Sequence, residues 1–163
     1  MLKSVYPKMG IGRTDAEVLH LSEYMEELLS EGRITFKREL PLKVTYHDPC
    51  HLGRESGILG GRQAGVYDAP RRAIAAIPGV ELIEMERTRE KSWCCGAGGG
   101  LKSGDMNASS QVARPRVKEA EKTGAELLLS ACPFCEQQFR DGMKAEEVPM
   151  RTADIVELVR EAM

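Results

Sequence analysis

The sequence predicts an α/β fold, a mostly parallel sheet with helices on both faces, and three observations carry that prediction. Strand-like and helix-like segments alternate along the chain, which is the pattern of parallel strands joined by helical crossovers. The run Ala125 to Ala131 (AELLLSA) is almost continuously apolar, as a strand covered on both faces must be. Helical segments end at glycine or at proline-glycine, the residues that stop a helix. At 163 residues the chain is the size of one domain and buries roughly 70% of its unfolded surface, so a single core stabilises it without cross-links.

The elements follow in order. Ala16 to His20 is a short, partly apolar run and reads as a strand. Ser22 is placed to cap a helix over Glu23 to Glu31, which Gly32 stops; its acidic face reads as solvated. Lys43 to His47 (KVTYH) is β-rich and ends at Asp48-Pro49, so a strand delivers Cys50 into a loop. Asp68-Ala69-Pro70 opens a helix to Ile77, closed by Pro78-Gly79.

Val80 to Met85 is the next strand, and a polar segment leads to Trp93 and the loop CCGAGGG. Asn107 to Thr123 is helical in pattern, with Pro115 expected to kink the helix or mark its start. Gly124 ends it, and the apolar strand follows. Cys132-Pro133 opens a helix to about Met143, and Thr152 caps a final one to Ala162. Folds of this kind place ligands at the carboxyl ends of their strands. Cys50 and Cys132 each fall just past a strand, and the Cys94–Cys95 pair follows a third at a greater distance. The expected metal site therefore lies in loops at one sheet edge.

All five cysteines belong to one pattern, C-x43-CCG-x35-CxxC: Cys50, Cys94, Cys95, Cys132 and Cys135. An odd count with a CxxC argues against a disulfide framework and for a reducing, cytoplasmic compartment. A CxxC at a helix start lets two thiolates meet one centre beside the free N–H groups and positive dipole end of that helix. Taken alone it fits zinc, a redox dithiol or an iron–sulfur cluster. Adjacent cysteines discriminate better, because neighbouring side chains diverge and suit different irons of one extended cluster. Gly96, Gly98, Gly99 and Gly100 let the backbone approach and aim N–H groups at sulfide. Cubane clusters and structural zinc each take four ligands. Five thiols leave one over, which points to an opened cluster or an exchangeable ligand. A four-thiolate zinc site and inert buried thiols stay open as alternatives.

The neighbours of the cysteines admit two readings each. His47 and His51 either hydrogen-bond cluster sulfur or deliver protons, with His47 otherwise closing a strand. Asp48 reads as a turn or capping residue. Arg54 either neutralises a cluster or binds a carboxylate, or is solvated. Trp93 reads as a hydrophobic shield in preference to an electron relay, and Lys102 as a surface lysine. The glycine run lacks the GxGxxG spacing and the lysine-serine pair of a phosphate cradle. Net charge is −2 with both signs dispersed, which argues against a nucleic-acid surface. The longest apolar stretch, Ala125 to Cys132, is too short to cross a bilayer. The opening MLKSVYPKMG has no apolar signal core, so membrane contact is expected only through a partner subunit.

The motifs HDPCHLGR (His47 to Arg54), CCGAGGG (Cys94 to Gly100) and ACPFC (Ala131 to Cys135) together resemble the cysteine-rich CCG domain. That domain occurs in heterodisulfide reductase catalytic subunits, in iron–sulfur subunits of glycolate and lactate oxidases, and in a membrane-linked sulfite-reduction electron-transfer subunit. The resemblance runs from about Tyr6 onward. It implies a non-cubane [4Fe–4S] cluster, in effect two fused rhombs sharing iron, with Cys50, Cys94, Cys95, Cys132 and Cys135 as ligands.

It further implies electron transfer to or from a thiol–disulfide or a quinone-linked acceptor. The implied partners are a flavoprotein, a ferredoxin-like protein or a membrane cytochrome subunit. Two other functions compete: a relay-only iron–sulfur subunit of a flavin-dependent 2-hydroxy acid dehydrogenase, and a zinc module that assembles a complex. Family members usually carry two such domains. Residues 1–163 are expected to form one, with residues 1–14 resembling the tail of a preceding copy. Disulfide cleavage that needs two facing clusters is beyond a single copy.

Overall fold

The computed structural model describes residues 6, 9–11, 17–56 and 65–163. Most of the expected 1–14 tail, and Ala16 at the head of the first expected strand, lie outside the described residues.

Four described strands form one sheet in the order β2-β1-β3-β4, with every pairing parallel: β1 Leu42–His47, β2 Val80–Leu82, β3 Leu127–Ser130 and β4 Arg151–Asp154. The register pairs His47 with Ser130 and Ser130 with Asp154. The carboxyl ends of β1, β3 and β4 are therefore level. Cys50 and Cys132 follow the two central ends by three and two residues, which sets them side by side above the sheet.

Helices cover both faces. On one, α1 Leu21–Ser30, α2 Asp68–Ala75 and α6 Ile155–Ala162 bury Met25, Ala73, Ile74, Ile155 and Leu158 against Val44, Tyr46, Leu127 and Leu129. On the other, α4 Met106–Glu121 and α5 Pro133–Ala145 bury Val117, Ala120, Phe139 and Met143 against Leu128. A one-turn helix, α3 Leu101–Gly104, precedes α4. Strand alternation explains the division, since successive side chains of β1 and β3 point to opposite faces.

Several boundaries differ from the sequence reading. Residues 17–20 form no strand; instead His20 caps α1, its ring accepting from the Ser22 N–H while Glu23 accepts from the His20 N–H. The cap expected of Ser22 thus falls two residues earlier. The second strand stops at Leu82, short of Met85. Pro115 lies inside α4 and does not begin it; Asp105 does, accepting from the Ala108 N–H. Thr152 caps nothing, because Arg151–Asp154 is a strand and Asp154 caps α6 with Glu157 completing the capping box. The α/β class, the parallel sheet and the two helical layers stand as expected.

Candidate metal centre

Each cysteine is set by the element behind it. Cys50 sits in the turn after β1, where Pro49 ends the strand. Cys132 is the N-cap of α5, Pro133 occupies its first turn, and Cys135 follows one turn on, facing inward. Cys94 and Cys95 come after a 3₁₀ turn at Arg89–Lys91; their thiols do not part as the sequence reading expects but stay within hydrogen-bond reach of each other. Cys94 is exposed and Cys95 buried. Gly96 holds this loop against α4 at φ +85°, where a Cβ would meet the Ser109 carbonyl oxygen at 2.5 Å. The Ser109 hydroxyl in turn donates to the Gly96 carbonyl at 2.8 Å.

The five thiols converge. Cys135 Sγ lies 3.2 Å from Cys95 Sγ, and Cys95 also exchanges a hydrogen bond with Cys94. Cys132 and Cys135 are hydrogen-bonded, and Cys50 feels the charge of Cys95. In the metal-free chain this web sorts the protons. Hydrogen bonds from Cys135 and Cys94 hold Cys95 far below the ordinary thiol range. A hydrogen bond from Cys135 and the N–H groups of the helix start bring Cys132 down to about 6. Cys135, whose single S–H lies between Cys95 and Cys132, and Cys94, which donates to Cys95, are pushed up. Burial raises Cys50. The Gly96 N–H reaches Cys94 Sγ at 3.3 Å and the Ala97 N–H supports the Cys95 thiolate, so the start of the glycine loop aims two backbone donors at cysteine sulfur. Five soft donors, two of them anionic and one of those buried, suit a thiophilic metal group.

Two arginines fasten this edge. Arg54 Nη1 donates to the carbonyls of Glu90 at 3.0 Å and Ser92 at 2.7 Å, tying the Cys50 loop to the Cys94 loop. Its charge also lies close enough to Cys50 to favour the thiolate there. Arg71 grips buried Asp48 at 2.6 and 2.9 Å and also reaches Glu84. Asp48 further accepts from the Arg89 N–H at 2.7 Å. The residue expected to serve a turn is thus the hub that joins β1, α2 and the 3₁₀ turn.

The remaining expectations separate. His47 is 1% exposed, stacks edge-on against Phe139 at 4.7 Å, and has a ring nitrogen within 4.8 Å of Cys95 and Cys135 Sγ. Burial, and then the Arg116 charge, lower its pKa to about 3, so the ring is neutral. His51 turns outward toward Glu55 at 3.9 Å. Trp93 is 39% exposed with the Arg87 guanidinium 4.0 Å over its ring, an open flank more than a seal. Lys102 pairs with Asp141 at 2.6 Å. Arg116, fully buried and bonded to His47 Nδ1 at 3.1 Å, is a site residue the sequence reading missed. The signal was available: Ala113, Arg116, Val117 and Ala120 recur at helical spacing on one stripe of α4, and all are buried.

A parallel α/β sheet that gathers five thiols in loops at its carboxyl edge defines a thiolate metal-centre domain. Comparison gives the family: residues 44–140 match the cysteine-rich (CCG) domain, and the chain belongs to it. One polypeptide of the dihydromethanophenazine:CoB–CoM heterodisulfide reductase of Methanosarcina mazei is 44% identical over 147 residues, covering 90% of this chain and 34% of that protein. A probable iron-sulfur-binding oxidoreductase, FadF, of Bacillus subtilis is 36% identical over all of this chain and 22% of its own length. The EtfAB:quinone oxidoreductase of Syntrophomonas wolfei is 35% identical over 99% of this chain and 22% of that protein. The chain thus spans about a third or less of these relatives. Among the described residues no helix is long and apolar enough to cross a membrane.

Proposed function

We propose that this chain is an iron–sulfur redox domain, in which Cys50, Cys94, Cys95, Cys132 and Cys135 hold a non-cubane [4Fe–4S] cluster. The observation that carries the reading is the meeting of thiols from three loops, with Cys135 Sγ 3.2 Å from Cys95 Sγ and the adjacent Cys94 and Cys95 hydrogen-bonded to each other. The relatives named for iron–sulfur binding and heterodisulfide reduction point the same way. Zinc would use four of these thiols and leave the fifth without a role.

Bound there, the cluster supplies one-electron storage. The chain's own residues set the terms. Cys95 and Cys135, both buried, anchor the inner side, while exposed Cys94 and the half-buried Cys50 and Cys132 form the side an acceptor reaches. Buried Arg116 and Arg71 are each paired with carboxylates, Arg116 with Glu119 and Arg71 with Asp48 and Glu84, so their charges are balanced within the fold. For a disulfide acceptor, two electrons and two protons yield two thiols. For a quinone-linked or flavin partner the domain passes electrons without bond cleavage, a second reading favoured by the relative named EtfAB:quinone oxidoreductase. In either case we assign the domain a place within a larger redox assembly.

The test is anaerobic purification with iron, acid-labile sulfide and zinc measured per chain, and an EPR spectrum of the oxidised form. About four irons and four sulfides, with a spectrum altered by an added thiol, support disulfide chemistry. The same loading with a spectrum blind to thiols supports relay alone. One zinc without sulfide, even after reconstitution, overturns the iron–sulfur reading.

A further inference from the structure

Building on that reading, we propose that Arg116 locks His47 as the neutral tautomer protonated on Nε2, so that His47 serves the cluster as an N–H donor to sulfur and not as a ligand. The Arg116 side chain is 0% exposed, and its Nε donates to His47 Nδ1 at 3.1 Å. A guanidinium has donors only and keeps its charge. The Nδ1 lone pair is therefore engaged, and the ring proton sits on Nε2. Arg116 cannot swing away, because Nη1 also donates to the Arg87 carbonyl and to Glu119 Oε2, both at 2.8 Å. Glu119 is itself held by the Arg87 N–H at 2.6 Å. The ring plane is fixed from the other side by Phe139.

This geometry decides between two roles. His47, Cys95 and Cys135 form a buried trio within 4.8 Å, and proximity alone would admit His47 as a metal ligand. Coordination requires a free nitrogen lone pair, and Arg116 leaves none. A ring nitrogen of His47 lies within 4.8 Å of the Cys95 and Cys135 sulfurs, and Nε2 is the nitrogen that Arg116 leaves free to donate to them. Hydrogen bonds to cluster sulfur spread negative charge and raise the reduction potential. Arg116 is thus a positioning residue acting through His47, and Glu119 holds it in place.

The first measurement is the ¹⁵N spectrum of the metal-free chain labelled in its three histidines, with His47 assigned by loss of its signals in His47→Asn. The expected result is the Nε2-protonated tautomer in the native chain and a tautomer mixture in Arg116→Gln. An Nδ1-protonated His47 in the native chain overturns the proposal. The second measurement is the midpoint potential of the reconstituted chain. In His47→Asn the amide oxygen takes over as acceptor for Arg116 but no N–H reaches the sulfurs, so iron content holds and the potential falls. His47→Gln returns an N–H to the position of Nε2 and recovers part of the shift. Loss of iron from a folded His47→Asn chain would make His47 a ligand, and an unchanged potential would deny the hydrogen bond; either overturns the proposal. A native chain without iron or sulfide refutes the cluster reading instead, and the tautomer spectrum distinguishes that failure because it needs no metal.

Discussion

The strands β1 and β3 carry two different faces within a few residues. On one, Val44, Leu127 and Leu129 meet Met25, Ile74, Ile155 and Leu158 in a contact of hydrocarbon on hydrocarbon. On the other, Leu128 and Phe139 share their layer with His47, Arg116, Glu119, Gln138, Cys95 and Cys135, all buried. The first face gains stability with every methylene it buries. The second takes up a charge, a carboxylate and thiolates whose desolvation opposes folding unless partners or a metal offset it. One face holds the sheet together, and the other uses that stability to hold a reactive edge. The division runs along the strand pleat, so a one-residue shift of register would exchange the two.

The sharpest way to break the comparison is Cys95→Ser. The expected outcome is loss of essentially all iron and sulfide from the reconstituted chain, with urea unfolding of the metal-free chain nearly unchanged. Arg71→Met comes next, because it strands the buried Asp48 carboxylate between β1 and α2. It should lower unfolding free energy by about 4 kcal/mol, read from denaturant curves at neutral pH, and slow loading by releasing the Arg89 turn. Leu129→Ala on the hydrocarbon face should cost about 3 kcal/mol and leave the potential of the loaded chain where it was. If it moves the potential as much as His47→Asn does, the two faces are not independent.

The smallest effect is on pH. The Cys132 thiolate, with its pKa brought down to about 6, is present above that value and is lost as pH falls through it. Iodoacetamide labelling of Cys132 in the metal-free chain, followed by tandem mass spectrometry, should slow about tenfold between pH 7 and pH 5. Labelling with its midpoint near the ordinary thiol value would show that the start of α5 and Cys135 do not act on it.

The hydrocarbon face was largely legible in the sequence, and the reactive face only in part. AELLLSA and KVTYH are visible because apolar and β-branched runs announce buried strands. The five cysteines are visible because thiols at fixed short spacings have few other uses. The strand Arg151–Asp154 was hidden: its RTAD has two charges and no apolar alternation, and its β character comes from pairing with Leu127–Ser130. The start of α1 was displaced because histidine is an uncommon cap, and its role depends on Glu23 reaching back. Arg116 was overlooked because a lone arginine after a proline reads as solvated; only the stripe it shares with Ala113 and Val117 marks it as internal. Asp48 and Arg54 were seen but their partners were not, since Arg71 and the Ser92 carbonyl lie 23 and 38 residues away.

The clasp that Arg54 makes on the carbonyls of Glu90 and Ser92 bears on how a cofactor is acquired. Because two of the three thiol-bearing loops are already fastened to one another in the metal-free chain, their ordering entropy is met during folding and not at the moment of delivery. A metal group bound at these thiols would therefore meet a standing cup and not two loose arms. Cys94 is the exposed member of the set, and Cys95 and Cys135 are its buried members.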